Sequence, residues 1–213
     1  RTVVVVHGLE YEVCPEAYAA RERMLMRFSL RNSCRWASDI IAVSESTKKD
    51  LVKIYGVPRE KISVIYEGTG GEESKINSRN FGSDSSIPMS KPYFLFIGRI
   101  ETRKNVARMI DAFCLFKKNR GTNHVLILAG KPGFGYGGIL DRKTKTTCPS
   151  DILELGYVDE CEKRKLLQGA DALLFPSLAE GFGLPILEAQ SAGIPVLTSK
   201  VSSMPEIAGE CGA

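Results

Sequence analysis

The sequence has little histidine and no long apolar segment. Its 213 residues include only two histidines, His7 and His124, and one tryptophan. The longest apolar runs, such as Val3–Val6 and Val125–Ala129, fall far short of the roughly 20 residues that a membrane-spanning helix needs. The hydrophobic fraction of 43% therefore predicts a globular protein with a sizeable core and no membrane span.

A strong charge excess and a metal-binding spacing are also missing. The 29 basic and 25 acidic side chains leave a formal net charge of +4, too little for a dedicated nucleic-acid-binding protein. The six cysteines form no Cys-x-x-Cys pair and have no zinc-type spacing to histidine. We therefore expect reduced thiols, no metal site and no nucleic-acid partner.

Short apolar runs alternate with helix-type patterns along most of the chain. In the first part we predict strands at 3–6, 39–43 and 62–66 and helices at 15–36 and 47–55, with Ser44 as a helix N-cap. In the second part we predict strands at 93–97, 124–129, 152–155, 172–175 and 196–198, with helices at 106–118, 139–145, 160–168 and 184–192. Such alternation is typical of an α/β fold with parallel sheets.

The stretch from Thr69 to Ser90 interrupts this alternation. It is rich in glycine and serine and has no apolar periodicity, which predicts a linker or surface loop. We therefore expect two Rossmann-like units, a partial one with its linker at 1–88 and a nearly complete one at 89–213. Because the chain opens within a strand and stops after an unfinished pattern, we also expect it to be a piece of a longer protein.

The densest chemical segment follows the strand at 172–175. Glu180 lies in the loop beyond that strand, and Gly181 and Gly183 let a ligand approach the backbone closely. The free N–H groups expected at the next helix start, on Gly183, Leu184 and Ile186, suit an anion. A carboxylate beside them suits sugar hydroxyls, since it accepts two hydrogen bonds at once. A glycine-rich turn with solvated glutamates is the structural alternative.

A second loop follows the strand at 93–97. It carries Gly98, Arg99 and Lys104 just before a helix. Two cations and one close backbone approach suit a diphosphate, and the alternative is an ordinary solvated helix start.

Together these motifs resemble a known family. Gly-Arg-x5-Lys-Asn at 98–105, Glu-Gly-Phe-Gly-Leu-Pro-x2-Glu at 180–188 and Ala-Gly-x-Pro-Val at 192–196 are similar to motifs of the retaining glycosyltransferases of family 4. Val-Val-His-Gly at 5–8 and Ile-Ala-Val-Ser-Glu-Ser-Thr-Lys at 41–48 resemble the end of that family's acceptor domain. The resemblance implies the two-domain GT-B fold, retention of anomeric configuration, and no metal or cofactor. Neither the beginning of the acceptor domain nor the family's C-terminal end is matched.

The resemblance also implies residue roles. Arg99 and Lys104, beside Gly98, would hold the diphosphate of the donor and stabilise its growing charge. Glu188 would accept the ribose hydroxyls, and His7 would lie near the reacting carbon. The donor sugar would contact Glu180 and the segment Gly181, Phe182, Gly183 and Leu184, and the base would lie near Tyr157 and Val158.

The resemblance further implies partners and a place of action. The donor would be a GDP- or UDP-linked sugar, with mannose mildly favoured, and the acceptor a sugar or a lipid-linked sugar. A cytoplasmic protein is expected. Arginines at every fourth position, 23, 27, 31 and 35, form either a solvated helix face or a patch for anionic membranes.

Two other functions remain open at this point. The glycines from Gly133 to Gly138 spell Gly-x-Gly-x-x-Gly after a strand, which is the fingerprint of a dinucleotide-binding oxidoreductase. A domain that keeps the fold and binds nucleotide sugars without turnover is the third possibility.

Overall fold

The structure is a computed structural model that describes residues 1–68 and 91–209. The predicted linker, and with it the predicted boundary at 88, lies outside the described residues. The first range holds β1 (Val3–Val6), α1 (Glu10–Val13), α2 (Ala20–Trp36), β2 (Asp39–Ala42), α3 (Glu45–Tyr55) and β3 (Ile62–Val64). We call residues 1–68 the N-terminal unit and residues 91–209 the C-terminal unit.

The C-terminal unit continues the alternation of strands and helices. It holds β4 (Tyr93–Ile97), α4 (Val106–Arg120), β5 (Val125–Ala129), α5 (Tyr136–Thr144), β6 (Ile152–Gly156), α6 (Glu160–Gly169), β7 (Ala172–Phe175), α7 (Leu184–Ser191), β8 (Val196–Thr198) and α8 (Met204–Ala208). Every predicted strand is present, which confirms the α/β assignment. The helix α8 was not predicted.

All strand pairs are parallel, and their order defines a crevice. The N-terminal unit has the sheet β1-β2-β3, and the C-terminal unit has the sheet β6-β5-β4-β7-β8. The chain leaves β4 for β5 on one side, and β7 later pairs with β4 on the other side. The loops after β4 and β7 therefore diverge at a topological switch point, where open α/β sheets bind ligands.

Both faces of the larger sheet are buried. Along β4, Tyr93, Leu95 and Ile97 belong to one apolar cluster, whereas Phe94 and Phe96 pack in the other. Burial on both faces explains why these strands are continuous apolar runs in the sequence rather than alternating ones. The strand β5 is buried throughout for the same reason.

The long helix of the N-terminal unit differs from its prediction. A helix was expected from residue 15, but a short helix α1 and a 3-10 turn at Pro15–Ala17 come first, and α2 begins at Ala20. Met24, Leu25 and Phe28 recur at helical spacing along α2, but all three are exposed. None of the described helices has the length and hydropathy needed to cross a bilayer.

The expectation of reduced thiols is wrong for one pair of cysteines. Cys114 on α4 and Cys148, just before β6, form a disulfide with their Cα atoms 6.1 Å apart. Both residues belong to the cluster between α4 and the sheet, so packing brings together positions that lie 34 residues apart. Cys14, Cys34 and Cys161 are free.

Candidate active site

Lys104 and Glu180, predicted on separate loops, meet at the switch point. Lys104 ends a 3-10 turn after β4, and Glu180 lies in the loop after β7. The Lys104 ammonium donates to Glu180 Oε1 at 2.5 Å and lies 4.7 Å from the centre of the Phe175 ring. Both side chains are buried. The two loops therefore form one ion-paired site. The sequence predicted that each loop follows a strand end, but it did not predict the ion pair.

Arg103 is a third member of this site that the sequence motifs did not single out. Its Nη1 lies 3.0 Å from Glu180 Oε2 and donates to the Ala179 carbonyl, while Nη2 donates to Glu101. Burial disfavours the charged carboxylate of Glu180, but the charges of Lys104 and Arg103 outweigh it and hold the pKa of Glu180 below its ordinary value. Glu180 is thus a stable anion held by two cations.

Two serines from the far end of the chain fix the backbone of Glu180. Ser202 Oγ donates to the Glu180 carbonyl at 2.5 Å, and Ser203 Oγ donates to the Phe182 carbonyl at 2.6 Å. Ser202 has a positive φ of 57°, a conformation uncommon for a residue with a side chain. Each serine lies about twenty residues from the carbonyl that it contacts, and neither contact was predicted. We call residues 180–183 the glycine loop.

Gly181 lies directly against the N-terminal unit. A Cβ at this position would lie 1.5 Å from the carbonyl oxygen of His7, so only glycine fits. The Gly181 N–H donates to Glu10 Oε1 at 2.9 Å. The backbone of Gly181 was expected to bind a sugar, but this N–H is already used by Glu10. Burial raises the pKa of Glu10 above its ordinary value.

His7 enters the site region from the N-terminal unit. Its imidazole is 74% exposed, and Nδ1 lies 2.6 Å from Glu67 Oε1. Its carbonyl contacts the glycine loop, so the structure places His7 beside the switch point, on the side where an acceptor is expected. Glu67, which holds the ring, was not predicted to be a site residue.

None of the other predicted side chains forms an ion pair with Lys104 or Glu180 in the part of the chain that the structure describes. Arg99 is 71% exposed and lies 4.0 Å from the Glu101 carboxylate. Gly98 has a φ of 142°. Glu188 on α7 accepts from the Lys163 ammonium at 2.8 Å. Tyr157 is exposed beyond β6 with the Lys131 ammonium 4.9 Å from its ring centre, while Val158 packs on the core.

The start of α7 is less open to an anion than expected. The N–H of Ile186 was expected to be free, but it donates to the Gly183 carbonyl at 2.9 Å and closes a turn. Gly183 forms the N-cap, Phe182 is buried against the ring of Tyr66, and Leu184 is exposed as the first helical residue.

The Gly-x-Gly-x-x-Gly segment serves packing. A Cβ on Gly135 would lie 2.0 Å from Thr102 Oγ1, and one on Gly133 would lie 2.8 Å from the Glu101 side chain. Gly133 and Gly135 therefore let the loop after β5 lie against the loop after β4. In residues 1–68 and 91–209, no cluster of histidine, cysteine or acidic residues is arranged to hold a metal ion.

Comparison with known proteins decides the family. The model of "Glycosyl transferases group 1" matches residues 78–212, and that of "Glycosyltransferase Family 4" matches residues 1–69. This chain is a group 1 glycosyltransferase. The family membership overturns the oxidoreductase alternative. The O-antigen chain mannosyltransferase B of Escherichia coli is 29% identical over 227 residues, covering 100% of this chain and 56% of that protein.

Solved structures confirm the GT-B fold of this glycosyltransferase. WaaG, a glycosyltransferase involved in lipopolysaccharide biosynthesis, superposes with a TM-score of 0.76 at 22% identity over 99% of this chain and 60% of its own. Anabaena HepE in complex with UDP-glucose superposes with a TM-score of 0.73 at 21% identity, over 97% of this chain and 55% of its own. The chain thus spans somewhat more than half the length of these relatives.

Proposed function

We propose that this glycosyltransferase chain carries the donor site of an enzyme that moves a sugar, with mannose favoured, from a nucleotide sugar to a hydroxyl acceptor with retention. The observation that carries the proposal is the buried Lys104–Glu180 pair at the switch point. A cation for a diphosphate and a carboxylate for sugar hydroxyls lie within hydrogen-bond distance of each other. The name of the Escherichia coli relative supports mannose, and the UDP-glucose complex of HepE supports a nucleotide-sugar donor.

In this proposal, cationic side chains rather than a metal ion neutralise the diphosphate. Lys104 and the exposed Arg99 bind the diphosphate and stabilise the charge that grows on it as the glycosidic bond breaks. To contact the diphosphate, the Lys104 ammonium breaks its ion pair with Glu180. Arg103 keeps Glu180 ionised in the meantime, because its guanidinium contacts the other carboxylate oxygen. Glu180 then accepts hydrogen bonds from the donor sugar.

His7 and Glu188 complete the site at its two ends. His7, held by Glu67, faces the reacting carbon from the acceptor side. Glu188 accepts hydrogen bonds from the two ribose hydroxyls, and its ion pair with Lys163 breaks when it does so. The base lies near Tyr157 and Val158, at the end of β6.

Donor binding tests this function. A thermal-shift screen of GDP, UDP, ADP and their sugars should show a rise in Tm with one nucleotide and its sugar, because a ligand specific to the folded state stabilises it. Glu188→Ala should weaken binding of that nucleotide by about 100-fold or more, because two charge-assisted hydrogen bonds are lost. Isothermal titration calorimetry measures the change.

Glu160→Ala is the matched control. Glu160 pairs with the same Lys163 at 2.8 Å, but it is exposed on α6. Its removal should leave the nucleotide Kd unchanged. A screen in which none of these nucleotides shifts the Tm would contradict the proposed function, and equal losses for both variants would refute the role of Glu188.

We also propose that the N-terminal unit associates peripherally with the inner face of a membrane through α2. The exposed Met24, Leu25 and Phe28 lie on the same helix as the exposed Arg31 and Arg35. Co-sedimentation with liposomes should therefore increase with their phosphatidylglycerol content, and Arg31→Glu with Arg35→Glu should reduce it several-fold. Co-sedimentation that does not change with the phosphatidylglycerol content would show that this surface does not bind anionic membranes.

A further inference from the structure

Glu206 of α8 makes an unusual contact with the N-terminal unit. Its Oε1 accepts from the backbone N–H of Glu45 at 2.7 Å, and its Oε2 accepts from that of Ser46 at 3.2 Å. These are the first two N–H groups of α3, and they lie about 160 residues away in sequence. One carboxylate thus joins the two units with both of its oxygens.

The first turn of α3 needs this partner. The Ser44 side chain caps the helix by accepting from the Thr47 N–H, which leaves the N–H groups of Glu45 and Ser46 without a partner inside the helix. A carboxylate satisfies both and also interacts favourably with the positive end of the helix dipole. The cap of this helix is therefore completed by the other unit.

The same end of α3 holds the glycine loop. Ser44 Oγ donates to the Gly181 carbonyl at 2.6 Å, and Thr47 Oγ1 donates to it at 3.1 Å. The ring of Tyr66, at the end of the same unit, lies 6.1 Å from that of Phe182 in the loop. The position of α3 relative to α8 thus determines which groups of the N-terminal unit reach the loop that carries Glu180.

We propose that Glu206 is a positioning residue that holds the N-terminus of α3, and with it the N-terminal unit, against the glycine loop. The inference concerns the placement of the two units and stands independently of the donor proposed above. We call the arrangement in which Glu206 contacts α3 closed. Without the carboxylate, two N–H groups lose their partners and the closed arrangement loses two charge-assisted hydrogen bonds.

The distance between the units tests the proposal. Spin labels are placed on the exposed Cys161 of α6 and on Lys53→Cys, an exposed position of α3, in a Cys211→Ser background. Electron–electron double resonance should give one narrow distance distribution for this parent. Glu206→Ala should add a population at other distances, with the ratio of open to closed molecules rising about tenfold or more.

Glu45→Pro tests the same contact from the other side. Proline is favoured at the first helical position, and Ser44 before it is already extended, with φ of −154° and ψ of 161°. The variant therefore removes one hydrogen bond to Glu206 while preserving α3, and it should shift the distribution in the same direction by a smaller amount.

Controls separate positioning from general loss of stability. Asp141→Ala removes an exposed carboxylate of α5 in the same unit and should leave the distances unchanged. Circular dichroism monitors folding in every variant. If Glu206→Ala does not fold, Glu45→Pro alone decides. A folded Glu45→Pro or Glu206→Ala protein that keeps the narrow parental distribution would overturn the proposal.

Discussion

Gly181→Ala should destabilise the closed arrangement of the two units more than any other single methyl group added to the site. The new Cβ would lie 1.5 Å from the His7 carbonyl oxygen, 2.6 Å from its carbon and 2.9 Å from the Gly8 Cα, all of which are backbone atoms. The loop cannot retreat, because its carbonyl and N–H are held by Ser44 and Glu10. We expect the free energy of unfolding to fall by about 3 kcal/mol or the units to separate.

Calorimetry measures this effect, with a Tm lowered by roughly 6–12 °C for a chain of this size. Gly138→Ala is the control, because a Cβ there meets no atom within 4 Å and lies inside α5, where alanine is the better helix former. It should leave the Tm unchanged or raise it slightly. A Gly181→Ala protein with the parental Tm and unit spacing would contradict the close packing of the glycine loop on His7.

Lys104→Met should weaken binding of the nucleoside diphosphate by about 30-fold, the loss of one hydrogen bond between charged groups. Methionine keeps most of the apolar stem beside Phe175 and removes the ammonium. The diphosphate then loses its buried cation and also faces Glu180, whose charge is balanced only by Arg103. Isothermal titration calorimetry with the nucleotide identified by the thermal-shift screen measures the change in Kd.

Lys117→Met provides a matched control in the same unit. Lys117 has a side-chain exposure of 14%, against 11% for Lys104, and it pairs with Asp151 at 2.7 Å. It also lies 5.7 Å from the ring centre of Phe113. Both variants remove a cation that is paired with a carboxylate and largely shielded from water, so both should lower the Tm. Only Lys104→Met should weaken nucleotide binding, and equal weakening by Lys117→Met would show that general loosening is responsible.

Local patterns were sufficient to predict the strands and the two loops that carry Lys104 and Glu180. The strands β4, β7 and β8 begin and end where the apolar runs predict, since a strand buried on both faces leaves a continuous signal. Lys104 and Glu180 were found separately because each follows a strand, and parallel strands bring such loops to one edge of the sheet.

The contacts that hold the site together could not be predicted in the same way. Arg103 lies beside Lys104 in the sequence, and only the fold shows that both cations reach Glu180. Glu10 and Glu206 act on backbone groups more than 150 residues away, so no spacing in the sequence marks them. The five-residue helix α8 is too short to show a periodicity, and Met24, Leu25 and Phe28 have helical spacing without a buried face.

The ion pair between Lys104 and Glu180 also bears on the order in which ligands leave. In the proposed function, a diphosphate that binds Lys104 would free an oxygen of Glu180, and the sugar of the same donor would then bind that oxygen. Binding of the diphosphate thus raises the affinity for the sugar, and binding of the sugar raises the affinity for the diphosphate. The coupling is reciprocal and lies within one ligand. Once the sugar has been transferred, the remaining nucleotide competes with Glu180 for Lys104 without that benefit. In the proposed function the Lys104–Glu180 pair would therefore favour release of the nucleotide product over release of the intact donor.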